Sequence, residues 1–136
     1  MVFRRLVPLR IPSGWAVDFN NFVELGAPDS LSATDREAYL TQDLLSIRST
    51  APDDAPSSGL ILDVGWRPDG DPAGRYRLQV VRPGWQQTGI ELSSRRSEII
   101  RDAIEVCLHR LNAGDTPDRV QQILIEATTV DGRSVG

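Results

Sequence analysis

Apolar and polar residues alternate most regularly between Leu60 and Arg82. Leu60, Leu62, Val64 and Trp66 fall on one face of a strand, and Tyr76, Leu78 and Val80 on one face of a second, the period of two that marks a half-buried strand. The intervening Arg67-Pro-Asp-Gly-Asp-Pro-Ala-Gly74 is dense in turn-forming residues. Placing Trp66 opposite Tyr76 sets Val64 against Leu78 and Leu62 against Val80, a hairpin with one apolar face. On its other face Asp63 lies opposite Gln79 and diagonal to Arg77.

Upstream, Trp15, Val17 and Phe19 alternate with Ala16, Asp18 and Asn20, which predicts another half-buried strand. Asn20-Asn21 breaks that alternation and predicts a bulge or a turn. Residues 1–11 hold scattered apolar positions with Pro8 among them and Pro12 just beyond, and read as an arm or an edge strand. Thr34-Asp-Arg-Glu37 matches a capping box and predicts a short helix to about Gln42. Asp43–Ser49 either ends that helix or forms a strand, with strand the preferred reading. Thr50–Gly59, with two prolines and adjacent acids, predicts a mobile loop rather than an interdomain linker, since neither flank is long enough for two comfortable domains.

Beyond the hairpin, Gln86–Leu92 reads as a strand with Ile90 and Leu92 inward. Ser94 or Ser97 is expected to cap a helix to about Asn112, with Ile100, Ala103, Ile104, Cys107 and Leu111 as its buried stripe. Asn112-Ala-Gly114 is a stop signal. Thr116-Pro117-Asp118 then resembles an N-cap, a first helical proline and an acid in the first turn. Val120, Ile123, Leu124 and Ala127 form a narrower stripe, so a second, shorter helix is expected; a strand through Ile123, Ile125 and Ala127 is the competitor. Residues 129–136 are polar and read as a frayed tail. Strands first and helices last predict one α+β domain over 1–136: an antiparallel sheet with a central hairpin (about 60–82), packed by helices on one face.

The composition narrows the chemistry. The chain has 136 residues, 40% hydrophobic and 25% charged, and all 15 basic residues are arginine, which excludes a Schiff-base lysine and a P-loop lysine. The formal charge is −4; Arg4, Arg5 and Arg10 stand in an acid-free first dozen residues, so the remaining 124 carry −7. That balance disfavours nucleic acid and anionic lipid as partners and favours a basic one. The lone Cys107 cannot form an internal disulfide, which fits a reducing cytoplasm. Pro8, Arg10 and Pro12 interrupt the basic N-terminus before the apolar core of a signal peptide can form. The apolar runs are far shorter than the ~20 residues of a membrane helix.

No catalytic constellation stands out. Cys107 and His109 are two apart on a helix and do not face each other. Asp69-Gly-Asp71 resembles the start of a calcium loop, but Ala73 and Val80 occupy positions that need oxygen ligands. A turn with solvated acids near Arg67 and Arg75 is the better reading. Carboxylates such as Asp18 and Asp63 sit on strands, and their separation is not legible from sequence. The glycines form no phosphate-binding pattern. Trp15 and Trp66 are in register with apolar faces and are expected in the core, whereas Trp85 follows a Pro-Gly turn among glutamines and is the candidate interface anchor.

Several segments together carry a family likeness. They are Ile11-Pro-Ser-Gly-Trp15, Asn20-Asn-Phe22, Asp43-Leu-Leu-Ser-Ile47, Leu62-Asp-Val-Gly-Trp66-Arg-Pro-Asp-Gly-Asp-Pro-Ala-Gly74-Arg-Tyr-Arg-Leu78 and Ser94-Arg-Arg-Ser-Glu-Ile-Ile100. Over about residues 10–112 the chain resembles small bacterial immunity proteins of contact-dependent growth inhibition and other polymorphic toxin systems. The resemblance implies a cytoplasmic, non-enzymatic antitoxin without a cofactor, which binds a cognate toxin domain and blocks its active site. The acidic body would suit a basic nuclease toxin. On this reading the partner-binding candidates are Asp53, Asp54, Asp69, Asp71 and Trp85. The competing expectations are a non-enzymatic adaptor or secretion-associated protein, and an acid–base enzyme using paired carboxylates.

Overall fold

A computed structural model describes residues 4–84 and 89–130, excepting the side chains of Thr129 and Val130. Five strands, β1 (Trp15–Asn20), β2 (Leu45–Ser49), β3 (Ile61–Arg67), β4 (Arg75–Val81) and β5 (Ile90–Ser94), form one antiparallel sheet in sequence order. Three α-helices accompany it: α1 (Ala33–Tyr39), α2 (Ser97–Asn112) and α3 (Pro117–Val130). The fold is α+β, with α2 and α3 lying against β4 and β5.

The central hairpin adopts the register its alternation dictates. Trp66 faces Tyr76, Val64 faces Leu78 and Leu62 faces Val80, and all six are buried. Trp66 and Tyr76 meet edge to face at 4.9 Å, and Phe22 meets Tyr76 likewise at 5.3 Å, geometries that suit the ring quadrupoles. The turn between the strands is closed by the Trp66 indole N–H, which donates to the Asp71 carbonyl at 2.8 Å. Arg95 secures it from outside, donating to the carbonyls of Gly74 and Pro72.

The first long helix buries the stripe expected of it; in α3 Val120 and Leu124 are buried, but Ile123 is half-buried and Ala127 exposed. In α2, Ile100, Ala103, Ile104, Cys107 and Leu111 are all buried, joined by Ile99 and Leu108. Neither candidate serine caps α2: Ser97 is its first residue, and the buried Ser94 accepts from the Arg96 amide at 3.0 Å. Gly114, at φ 96°, ends the helix in the left-handed region. Thr116 then accepts from the Arg119 amide at 3.2 Å, and α3 begins at Pro117. Residues 117–130 are helix throughout, so the strand alternative is overturned; Val120 and Leu124 face the core and Ile125 is exposed. Only 131–136 of the expected tail lie wholly outside the described residues.

Three local expectations shift. First, α1 caps on Ser32, whose hydroxyl accepts from the Asp35 amide at 3.2 Å, and not on Thr34. The Asp35 carboxylate instead accepts from Arg4 at 3.1 Å. Second, α1 ends at Tyr39 because the following chain is drawn onto β3. Trp66 N–H donates to Thr41 at 2.7 Å, and Leu44 N–H donates to Val64 at 2.9 Å.

Third, β1 carries its bulge earlier, at Asp18, while at Asn20-Asn21 the strand ends and the Asn20 side chain accepts from the Phe22 amide at 3.0 Å. Val17 faces Ile47, but Phe19 faces Ser46 rather than Leu45. That one-residue shift moves Phe19 off the core face, and it is 48% exposed. Val17 keeps the core-facing side yet remains 45% exposed, because β1 is an outer strand and the long helices pack over the β4–β5 end of that face. The N-terminal arm behaves as an edge element, with Val7 N–H donating to Phe22 and Glu24 N–H donating to Arg5.

Gly65 lies where the 41–44 segment crosses β3, and a Cβ there would stand 2.1 Å from the Gln42 carbonyl oxygen. Gly65→Ala should therefore lower stability by about 2 kcal/mol or more in urea denaturation. Gly26→Ala, with open space around it, should change stability little.

Candidate functional site

Residues paired across neighbouring strands share a face of the sheet. Phe19, Ser46, Asp63, Gln79 and Glu91 are successive partners and so form one row across all five strands, on the side away from the core. Arg48, Ile61 and Val81 run along one flank of this row, and Gly65, Arg77 and Ser93 along the other. All are half-buried or exposed apart from Gly65. Two ion pairs organise the surface: Arg48 with Asp18 at 2.9 Å, and Arg77 with Glu91 at 3.0 Å. Such exposed pairs add roughly 0–1 kcal/mol to stability, so their main effect here is to hold side chains in place.

Beside Asp63 the face is concave. A cavity of about 120 Å³ is lined by Gln42, Asp43, Asp63, Gly65, Arg67, Arg77 and Gln79. Gly65 and Gln42 bound one side of it, the Gln42 main chain standing where a Gly65 side chain would be. Burial raises the Asp63 pKa above its usual value; a hydrogen bond with Ser46 opposes the shift, and the nearby Asp43 charge adds to it.

The acids singled out in sequence do not gather. Asp53 and Asp54 are exposed in the β2–β3 connection, and Asp69 and Asp71 are exposed in the β3–β4 turn. These loops leave opposite ends of a seven-residue strand, roughly 20 Å apart at the usual rise per residue. Asp71 is occupied locally, its carboxylate accepting from the Ala73 amide at 2.9 Å. In the 50–59 loop, Arg82 donates to the carbonyls of Ser58 and Pro56. Trp85 lies outside the described residues.

Other sequence readings meet their geometry directly. Trp15 and Trp66 are buried, Trp15 donating to Asn112 at 2.8 Å. Cys107 is buried, which pushes its thiol up to about 12, while His109 is exposed. Among the described residues no group of His, Cys, Asp and Glu is placed to hold a metal ion, and no helix is long and apolar enough to cross a membrane.

A larger groove of about 380 Å³ runs between the arm and α2, lined by Pro8, Leu9, Arg10, Arg101, Asp102 and Glu105. Its polar groups are largely matched internally: Arg10 N–H donates to Glu105 at 2.9 Å, and Arg101 pairs with Asp102 at 3.1 Å. The sheet-face cavity, by contrast, keeps two carboxylates without a basic partner among the described residues. Phe19, Asp43 and Ser46 were missed in sequence. Gly65, a glycine inside a strand, was the legible sign of a close backbone approach.

The folded protein holds the Asp63 proton more tightly than the unfolded chain does. Ionising Asp63 therefore costs stability as pH rises from the ordinary carboxylate value of 3.8 through the raised one. Asp63→Asn should stabilise the fold at pH 7 by a few tenths of a kcal/mol, roughly, since the group is half-exposed. Urea denaturation should show that gain vanish below about pH 4. A loss of stability at pH 7 would contradict the assignment.

No protein-family model matches the chain, and comparison with curated proteins and with solved structures gave no match.

Proposed function

We propose that the protein is a non-enzymatic immunity protein, which neutralises a cognate toxin domain by docking the uncovered face of its sheet over the toxin's active site. The observation that carries this reading is the β1 bulge, which turns Phe19 onto a mostly polar face whose other large apolar side chains, Ile61 and Val81, are half-buried. An aromatic side chain surrounded by hydrogen-bonding groups and arginine has the composition of an interface centre within a polar rim. The ion pairs Arg48–Asp18 and Arg77–Glu91 already hold long side chains in place, which lowers the ordering cost of association.

Charge supports the same partner class. The body outside the first dozen residues carries −7, which speeds encounter with a basic nuclease domain and disfavours acidic competitors. Asp53, Asp54, Asp69 and Asp71 flank the face at opposite ends of β3. There they act as steering charge, with Phe19 and its row forming the contact. The family likeness of residues 10–112 points to the same role.

Growth rescue tests this reading. The protein, co-expressed with toxin domains encoded beside its gene, should restore growth against one of them. Phe19→Ala should weaken binding to that domain by about 2 kcal/mol, roughly 30-fold in Kd, without loss of folding since the ring is exposed. Replacing all four loop aspartates by serine should slow association, and the difference should shrink as salt rises. Full affinity of Phe19→Ala, or protection against none of the neighbouring toxins, would overturn the proposal.

A further inference from the structure

We infer that residues 4–11 form a strap, which opens as a unit while the sheet stays folded, with the Arg4–Asp35 ion pair as its latch.

The strap has a defined boundary. The Ser13 carbonyl accepts from the Asn112 side chain at 2.9 Å and the Gly14 carbonyl from the Thr50 amide at 2.9 Å, so from Ser13 onward the chain is fixed to the body. Upstream the ties thin out. Val7 N–H donates to Phe22 and Glu24 N–H donates to Arg5. Pro8, which has no N–H, ends this pairing after one bridge, Leu6 with Val23. Residues 8–10 then stand across a groove of about 380 Å³ from α2, crossed by the exposed bond from Arg10 N–H to Glu105. Within the strap only Val7 is buried; Leu6 is exposed, and Leu9 and Ile11 are half-buried.

The far end is held by charge. Among the described residues Asp35 is the one charged side chain that is buried, and Arg4 donates to its carboxylate at 3.1 Å. A buried carboxylate depends on such a partner to replace its lost hydration, so the pair favours the closed strap. Closure is not free of cost: Arg4 Nε is shielded from water with no acceptor among the described residues, a donor left unsatisfied. Opening hydrates both charges, releases the Phe22 carbonyl and the Glu24 N–H, and withdraws Val7, yet breaks no pairing among the five strands. Lightly tied segments of this kind open below the cost of global unfolding. The strap is therefore a two-state element that can be biased without touching the outer face, and it stands apart from the toxin reading.

Native-state hydrogen exchange on the full isotope-labelled chain tests this. The Val7 and Glu24 amides should share one protection level and respond weakly to low urea. Those of Leu78 and Val80, in a strand with neighbours on both sides, should be better protected and respond steeply. Leu92→Ala, a core truncation on β5, should speed Leu78 and Val80 by about tenfold or more and leave Val7 and Glu24 unchanged. Arg4→Gln should speed Val7 and Glu24 at least about tenfold, whereas Arg5→Gln, on an exposed side chain, should speed them less than about threefold. Equal protection and urea response in all four amides, a common acceleration of all four in Leu92→Ala, or an Arg4→Gln effect no larger than that of Arg5→Gln would overturn the inference.

Discussion

The β3–β4 hairpin buries one face and leaves the other charged, and this one-sidedness organises the molecule. Leu62, Val64 and Trp66 meet Val80, Leu78 and Tyr76 on the inner side, while Asp63 meets Gln79 and Gly65 meets Arg77 on the outer. A slip of one residue in either strand would drive Asp63 or Arg77 into the core without partners, at a cost of several kcal/mol by the usual penalty for buried charge. The register is held by that penalty and by the aromatic contact of Trp66 with Tyr76. Once it is set, β2 and β5 add to the two sides, and α2 has a single apolar surface to cover.

The two outer edges of the sheet are finished differently. On β5, the Gln121 side chain accepts from the Glu91 amide at 2.6 Å and donates to its carbonyl at 3.0 Å, occupying the main-chain groups a further strand would use. On β1 the bulge interrupts the edge at Asp18, which discourages pairing with stray strands. The same bulge supplies the surface aromatic. A device that guards an edge thus also gives the open face its apolar anchor, and the proposed docking surface follows from the local backbone as much as from composition.

The hairpin register, the α2 stripe and the α2–α3 break were legible because each rests on periodicity or on punctuation by glycine and proline. Phe19 was not, because its position depends on where the one extra residue falls, and Trp15-Ala-Val-Asp-Phe-Asn20 alternates cleanly through the bulge. The cap of α1 was displaced by competition: Thr34 looked suitable, but Ser32 caps and Asp35 is engaged by Arg4. The acidic loops drew notice as clusters in sequence, yet a strand of extended chain separates them. Residues scattered over all five strands make up the candidate face, and only pairing across strands brings them together.

Docking through the sheet requires that its outer face be open and that Phe19 belong to it. A soluble paramagnetic agent, read out on the phenylalanine ring signals, addresses both together. The Phe19 ring, 48% exposed, should broaden strongly, whereas that of Phe22, fully buried against Tyr76, should be spared. Equal protection of the two rings would mean that β1 continues unbulged into the core or that the face is covered, and it would contradict the account at its base.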